Sequence, residues 1–332
     1  MKMEEIKVSV MCLVYNHGKY LRDCLEGILM QKTDFAYEIL LHDDASTDNS
    51  AEILREYEAK YPDVVKPIYQ TENQYSKSIP VSFTYQYPRA KGKYIALCEG
   101  DDYWIDPYKL QKQVDYMESH PDCTFCFTNG YIEDQAKGGE RRDFLPYNAR
   151  DAVFYEDVSR IYTLDDMYQM SFVPTASCLY PREVFLKAKE YLSTACPTGD
   201  LRIRLYMTSY GYAYYLNDKT CVYRQNVPNS AMTGWKKYDR KKVRAHTKKI
   251  IDMISRLDEI TEYKYSDGLY KINRDFVKNY LLSAQSIGIL KDPLCKKVFD
   301  EFSIRQKAKF FVKLMTPDWV LNTKKKIKKR SV

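Results

Sequence analysis

At 332 residues, with 45% hydrophobic and 29% charged positions, the chain can bury a large core and exceeds the ~100–200 residues of an ordinary domain, so a second structural element is expected. The formal charge of +7 is uneven: from Arg305 to the end there are ten Lys or Arg and one Asp, against 42 basic and 44 acidic groups elsewhere, which argues against a nucleic-acid-binding body. No apolar run reaches the ~18 residues of a membrane span, no secretory signal is seen before Val8, and the nine cysteines sit mostly in apolar surroundings, so the expectation is a cytoplasmic protein with reduced, buried thiols.

In chain order, Val8 to Asn16 reads as an apolar strand ending in Tyr15-Asn16-His17-Gly18. A helix follows, with Leu21, Cys24, Leu25, Ile28 and Leu29 spaced for one buried face. A second strand from Tyr37 runs into Asp43-Asp44 and then a helix that Ser46 or Thr47 would cap. The third strand, Gly92 to Cys98, runs into Glu99-Gly100-Asp101-Asp102-Tyr103-Trp104, with a helix beginning near Asp106-Pro107. Strand, helix, strand, helix, strand is the rhythm of a parallel sheet, and the strand ends would line one crevice.

Cys123-x-x-Cys126 has no second pair and lies in a strand-like run, which argues against zinc. Residues 133–160 are polar and turn-rich and are read as a surface loop over the crevice; residues 171–185 return to the core, where buried hydroxyls of Thr175 and Ser177 would bond to backbone. Asp200 precedes Ile203, Leu205 and Tyr206, the pattern of a helix start, and Arg202 and Arg204 are read as pairing with acids. Tyr206, Tyr210, Tyr212, Tyr214 and Tyr215 alternate like sheet positions. Beyond Trp235, helices are expected over Val243–Ile260, Leu269–Ile289 and from Pro293 onward.

Three acids at the end of a buried strand repel one another. A divalent cation with a diphosphate would explain them, because Mg²⁺ prefers one or two carboxylates completed by phosphate oxygens. An acidic turn capping the following helix is the other reading. No Gly-x-Gly-x-x-Gly or Walker loop is present, so dinucleotide-fold and P-loop readings are poor.

The segments VSVMCLVYNHGKYLRDCLEGILMQ, EILLHDDASTDNS, AKGKYIALCEGDDYWIDPYKLQKQV and TGDLRIRLY resemble the family 2 glycosyltransferases. The EGDDYW form is especially similar to enzymes that build bacterial surface polysaccharides. The resemblance implies a GT-A fold, a Rossmann-like α/β domain with a mainly parallel sheet flanked by helices, over residues 1–232; the helical extension over 233–332 is read from the sequence and lies outside the resemblance. It also implies inverting sugar transfer from a nucleotide-sugar donor to a glycan or lipid-linked acceptor, with Mg²⁺ or Mn²⁺. A catalytically inactive nucleotide-sugar-binding protein is the alternative.

On this resemblance, Tyr15 packs against the base, and Asn16 helps shape that pocket. Asp44 accepts the base imide N–H, which favours uracil or thymine because a carboxylate only accepts, while Asp43 orients the loop. Asp101 reaches the metal and Asp102 ligates it directly or through water. Glu99, where the family more often has Asp, faces the ribose or a metal-bound water. Lys77 falls where some relatives place a cation near the diphosphate, or is an ordinary solvated lysine. Asp200 falls at the general base, and Gln225-Asn226 stand where many relatives carry a histidine. The basic C-terminal segment, with Phe310, Phe311, Val312, Leu314, Met315, Trp319 and Val320 interleaved, suits an anionic membrane surface at the inner face of the cell membrane; a packed helix with a soluble lysine tail is the other reading.

Overall fold

The computed structural model describes residues 5–149, 151–153, 155–187, 191, 198–228, 230 and 239–316. The chain divides into two compact units, one comprising Met1–Ala195 and Gly199–Ser230, the other Cys196–Thr198 and Ala231–Val332.

The first unit is built on a ten-stranded sheet. Strands β1 (Ile6–Val14), β2 (Ala36–Asp43), β3 (Val65–Tyr69) and β4 (Tyr94–Leu97) are parallel in the order β3-β2-β1-β4. Helices α1 (Leu21–Leu29) and α2 (Ser50–Lys60) connect the first three strands. α1 forms because its apolar positions fall on one stripe: Leu21, Leu25 and Ile28 are fully buried, each contributing roughly 1.5–3 kcal/mol. Truncating Leu25 to Ala would leave a core cavity costing about 2–5 kcal/mol.

The sheet continues through β5 (Tyr103–Trp104), β6 (Cys123–Asp134), β7 (Glu140–Asp143), β8 (Arg160–Tyr162), β9 (Leu179–Pro181) and β10 (Tyr212–Gln225). β9 pairs antiparallel with both β4 and β6, and β10 runs parallel to β6. Helix α3 (Lys109–Ser119) follows β5, short helices α4 (Leu164–Met167) and α5 (Arg182–Lys187) flank β9, and α6 (Gly199–Ser209) precedes β10.

The second unit packs α7 (Arg240–Ile260), α8 (Ser266–Leu281), α9 (Pro293–Asp300) and α10 (Ile304–Met315) around Ile251, Val277, Leu281, Val298, Phe302 and Phe310. Among the described residues, no helix is long and apolar enough to cross a membrane.

Several local expectations are corrected. Neither Ser46 nor Thr47 caps α2, which starts only at Ser50: Ser46 Oγ accepts from the Asn16 N–H at 2.9 Å, and Thr47 donates to Asn16 Oδ1. Residues 133–160 are not one loop, since β7 pairs with β6 and Phe144 and Leu145 are buried. Tyr206 lies on α6 and Tyr210 just beyond it, so only Tyr212, Tyr214 and Tyr215 of that series are strand positions. α8 ends at Leu281, well before Ile289. The eight described cysteines are free and buried, and Ser177 Oγ donates to the Pro174 carbonyl. Trp319, Val320 and the lysine-rich end lie outside the described residues.

Candidate functional site

The carboxyl end of β1 organises the site, because its two neighbours carry the acids past it on either side. On one side the Asp44 N–H bonds to the Val14 carbonyl at 2.9 Å; on the other the Gly100 N–H bonds to the Leu13 carbonyl at 2.9 Å. Asp43-Asp44 and Glu99 to Asp102 therefore flank the end of a single strand. Gly100 leaves little room for a side chain: a Cβ there would stand 2.7 Å from His17 Nδ1 and 3.1 Å from the Leu13 carbonyl. That close seat brings His17 Nε2 within 3.9 Å of Asp101 Oδ2. His17 Nδ1 is buried without a hydrogen-bond partner.

On the β2 side the backbone is turned sharply. Asn16 and Ala45 both take left-handed conformations, φ 57° and 60°, which is uncommon for any residue with a side chain and for Ala in particular. Asn16 Oδ1 accepts from the Thr47 N–H at 2.7 Å, and the Gly18 N–H donates to Asp48 at 2.9 Å, so the β1 and β2 loops are laced together. Tyr15 stands on this edge 40% exposed, a large aromatic face open to a ligand. Asp43 is buried and accepts from the Ser46 N–H at 3.3 Å.

Asp44 is also buried, with Oδ1 accepting from the Gln74 N–H at 2.7 Å and Oδ2 from the Tyr75 N–H at 3.0 Å. Its carboxylate thereby anchors the turn after β3. A carboxylate offers about four lone-pair positions, so acceptor capacity remains. Lys77, at the end of that turn, is exposed and ion-paired with Glu72.

On the β4 side the three acids differ. Glu99 keeps exposed surface yet is hemmed in by protein, as a group on a cleft floor is. Burial, then the charges of Asp101 and Asp200, push its carboxyl up to about 8. Asp102 is 1% exposed: Oδ1 accepts the Arg224 N–H at 2.9 Å, while Oδ2 is buried with no hydrogen-bond partner. Burial and the charges of Asp101 and Glu99 raise its carboxyl well above the usual range, against the opposing pull of Arg224.

The chief residue that sequence reasoning missed as functional is Arg224, on β10. Its guanidinium is buried between the rings of Tyr20 and Tyr103, at 5.0 and 4.3 Å from their centroids. It donates to the Asp101 carbonyl at 3.2 Å and Glu133 at 3.3 Å, and pairs with Asp23. It thus ties β10 to the acidic turn. The available signal was an arginine directly after the apolar run Cys221-Val222-Tyr223, where a buried guanidinium needs acceptors. Beside it opens a polar concavity of about 640 Å³, lined by Lys19, Glu133, Gln135, Gly138, Gly139 and Arg141.

Asp200 lies in the first turn of α6, and its charge bears on Glu99. It also acts on Arg204, a buried arginine that donates to the Met170 carbonyl at 2.7 Å. Glu99, Asp101, Asp102 and Asp200 therefore form one electrostatically connected acidic group. Among the described residues no set of three His, Cys, Asp or Glu side chains is preassembled around a metal position. The donor chemistry nevertheless fits a hard cation: crowded carboxylates, one of them with a buried oxygen that lacks a hydrogen-bond partner.

The family profile of Glycosyl transferase family 2 matches residues 9–187, more than half of the 332-residue chain. The chain belongs to glycosyl transferase family 2. The uncharacterized protein Rv1520 of Mycobacterium tuberculosis is 38% identical over 178 residues, 53% of this chain and 47% of that protein. The chain thus spans about half the length of the curated relatives it matches. Among solved structures, Staphylococcus aureus TarS residues 1–349 in complex with UDP-GlcNAc matches with a TM-score of 0.57 at 15% identity, over 93% of this chain and 89% of that one. The mannosyltransferase PcManGT of Pyrobaculum calidifontis, in complex with GDP-Man and Mn²⁺, matches with a TM-score of 0.52 at 13% identity, over 98% and 87%. At such identity these two speak for the fold alone: this family 2 member has the GT-A architecture, a mixed α/β domain with a mainly parallel sheet and C-terminal helices.

Proposed function

We propose that this family 2 member transfers a sugar, with inversion, from a nucleotide-sugar donor, a UDP-sugar first among them, to a hydroxyl of a glycan or lipid-linked acceptor. The observation that carries this reading is that Asp43-Asp44 and the acids Glu99 to Asp102 flank the end of one strand, β1, through the Asp44 N–H on the Val14 carbonyl and the Gly100 N–H on the Leu13 carbonyl. The nucleotide complexes of TarS and PcManGT support it.

In this reading Tyr15 packs on the base, Asp44 uses its remaining acceptor capacity on the imide N–H, and Asn16 and Asp43 hold the loops that shape the pocket. Glu99 meets the ribose or a metal-bound water. Lys77 would exchange Glu72 for the diphosphate. Asp101 and Asp102 would hold a divalent cation, Mg²⁺ or Mn²⁺, with the buried Oδ2 of Asp102 gaining the partner it lacks. That cation, when bound, supplies Lewis-acid stabilisation of the leaving diphosphate. Asp200 accepts the proton of the acceptor hydroxyl as its oxygen attacks the anomeric carbon.

A thermal-shift screen of uridine, thymidine and guanosine diphosphate sugars, with and without Mn²⁺, tests the donor assignment. A UDP-sugar should stabilise the protein most, and Asp101→Ala should remove the Mn²⁺-dependent part of that shift and of donor turnover. Stabilisation without turnover in the wild type, across acceptors, would mark the chain as a nucleotide-sugar-binding protein instead.

A further inference from the structure

Helix α10 carries two apolar faces. One is spent on the core of its own unit: Phe310 is 1% exposed against Phe299 and Phe302, with Leu314 packed beside it. The other is formed by Ile304, Ala308, Phe311, Val312 and Met315, at positions i, i+4, i+7, i+8 and i+11. That spacing draws one stripe about 100° wide along the helix. The stripe faces solvent, with Ile304 89%, Val312 64% and Met315 83% exposed. A folded protein rarely leaves a whole helical stripe of large apolar side chains in water, and such a patch marks an interaction surface.

Charge indicates the partner. α10 contains Arg305, Lys307, Lys309 and Lys313 and no acidic residue. On a helical projection Arg305 and Lys309 border the stripe on one side and Lys307 on the other. The following sequence adds Lys324, Lys325, Lys326, Lys328, Lys329 and Arg330 against a single Asp318. The helix is held firm at its start by a Ser303–Gln306 capping box, so the stripe is preformed. A second copy of this chain would bring an equally basic face against this one and be repelled. An apolar stripe bordered by cations matches an anionic lipid surface, whose acyl boundary takes the stripe and whose headgroups take the lysines.

We infer that α10 is a membrane-docking helix that lies in the plane of an anionic bilayer through Ile304, Ala308, Phe311, Val312 and Met315. This surface belongs to the second unit, and the inference does not depend on what the acidic crevice of the first unit transfers.

The test is sedimentation of the full-length protein with vesicles of phosphatidylcholine alone or containing about 30% phosphatidylglycerol. Binding is expected only to the anionic vesicles, weakening when salt rises from about 0.1 M to about 1 M. Val312→Glu with Met315→Glu should lower partitioning at least ~10-fold, with circular dichroism and melting temperature unchanged because both side chains are exposed. Arg305→Gln and Lys309→Gln should each lower it about 5-fold. Absence of binding to anionic vesicles would overturn the inference. So would binding that survives Val312→Glu with Met315→Glu yet vanishes on removal of residues 321–332, since the lysines would then act alone. A dimer in sedimentation velocity that depends on Val312 and Met315, without vesicle binding, would make a second copy the occupant and equally overturn it.

Discussion

Asp44 performs a structural task whatever else it does, and the two roles can be separated by Asp44→Asn. Its two oxygens accept the Gln74 and Tyr75 N–H groups at 2.7 and 3.0 Å in a nearly water-free position. The amide keeps one acceptor and turns an N–H₂ toward a backbone N–H. Hydrogen bonds to a charged group contribute about 1.5–3 kcal/mol, and an orphaned buried donor costs about 1–3 kcal/mol. The Tyr75 N–H is only partly buried and finds some water, so a total near 2 kcal/mol is expected. For a unit of this size that corresponds to a melting-temperature fall of about 4–8 °C. Differential scanning fluorimetry of the ligand-free protein measures it, and limited proteolysis between residues 70 and 80 should show the released turn. UDP titration of the same variant reads the second role and should show weaker binding. A ligand-free melting temperature within about 1 °C of wild type would refute the anchoring argument, leaving Asp44 as a nucleotide contact only.

The remaining predictions concern the acids and their setting. Asp200→Asn should lower kcat by ~10²–10⁴ with donor KM nearly intact; near-normal turnover would reject the base assignment. Glu99 has a folded pKa near 8, above its ordinary 4.5, so the folded state holds a proton that the unfolded chain has lost between those values. Without divalent cations, stability should therefore decline as pH rises through that window and level off beyond 8; Glu99→Gln should flatten the slope in a pH series of melting curves, and identical slopes would contradict the assignment. Mn²⁺ binding near neutral pH should release protons, measurable by calorimetry in buffers of different ionisation enthalpy. Gly100→Ala should cost about 1–3 kcal/mol by pressing its Cβ onto His17, and His17→Ala in the same chain should recover part of it; purely additive losses would show that the clash is elsewhere.

Local pattern was enough to place the strands that matter. Val8 to Val14, Tyr37 to Asp43 and Tyr94 to Leu97 are apolar runs bounded by polar turns, and a buried parallel strand needs little more to be recognised. The stripe of α1 was equally legible from its spacing, as was the start of a helix at Asp200. What the sequence could not carry was any property set by a partner far along the chain. Ser46 has the chemistry of a cap, but the Asn16 N–H, thirty residues earlier, takes its hydroxyl. Asp102 accepts from Arg224, 122 residues later, and that arginine acquires its meaning only when β10 reaches the acidic turn. Glu99 reads as an ordinary carboxylate until folding hems it in with protein and sets it beside the charges of Asp101 and Asp200. Phe310 and Phe311 are adjacent and alike in composition, yet one is core and the other surface, because only packing selects which stripe of a helix is buried. Periodicity and turn chemistry act within a few residues, so sequence reports them. Burial, charge crowding and the direction of a hydrogen bond depend on which distant groups meet, and only the tertiary structure decides that.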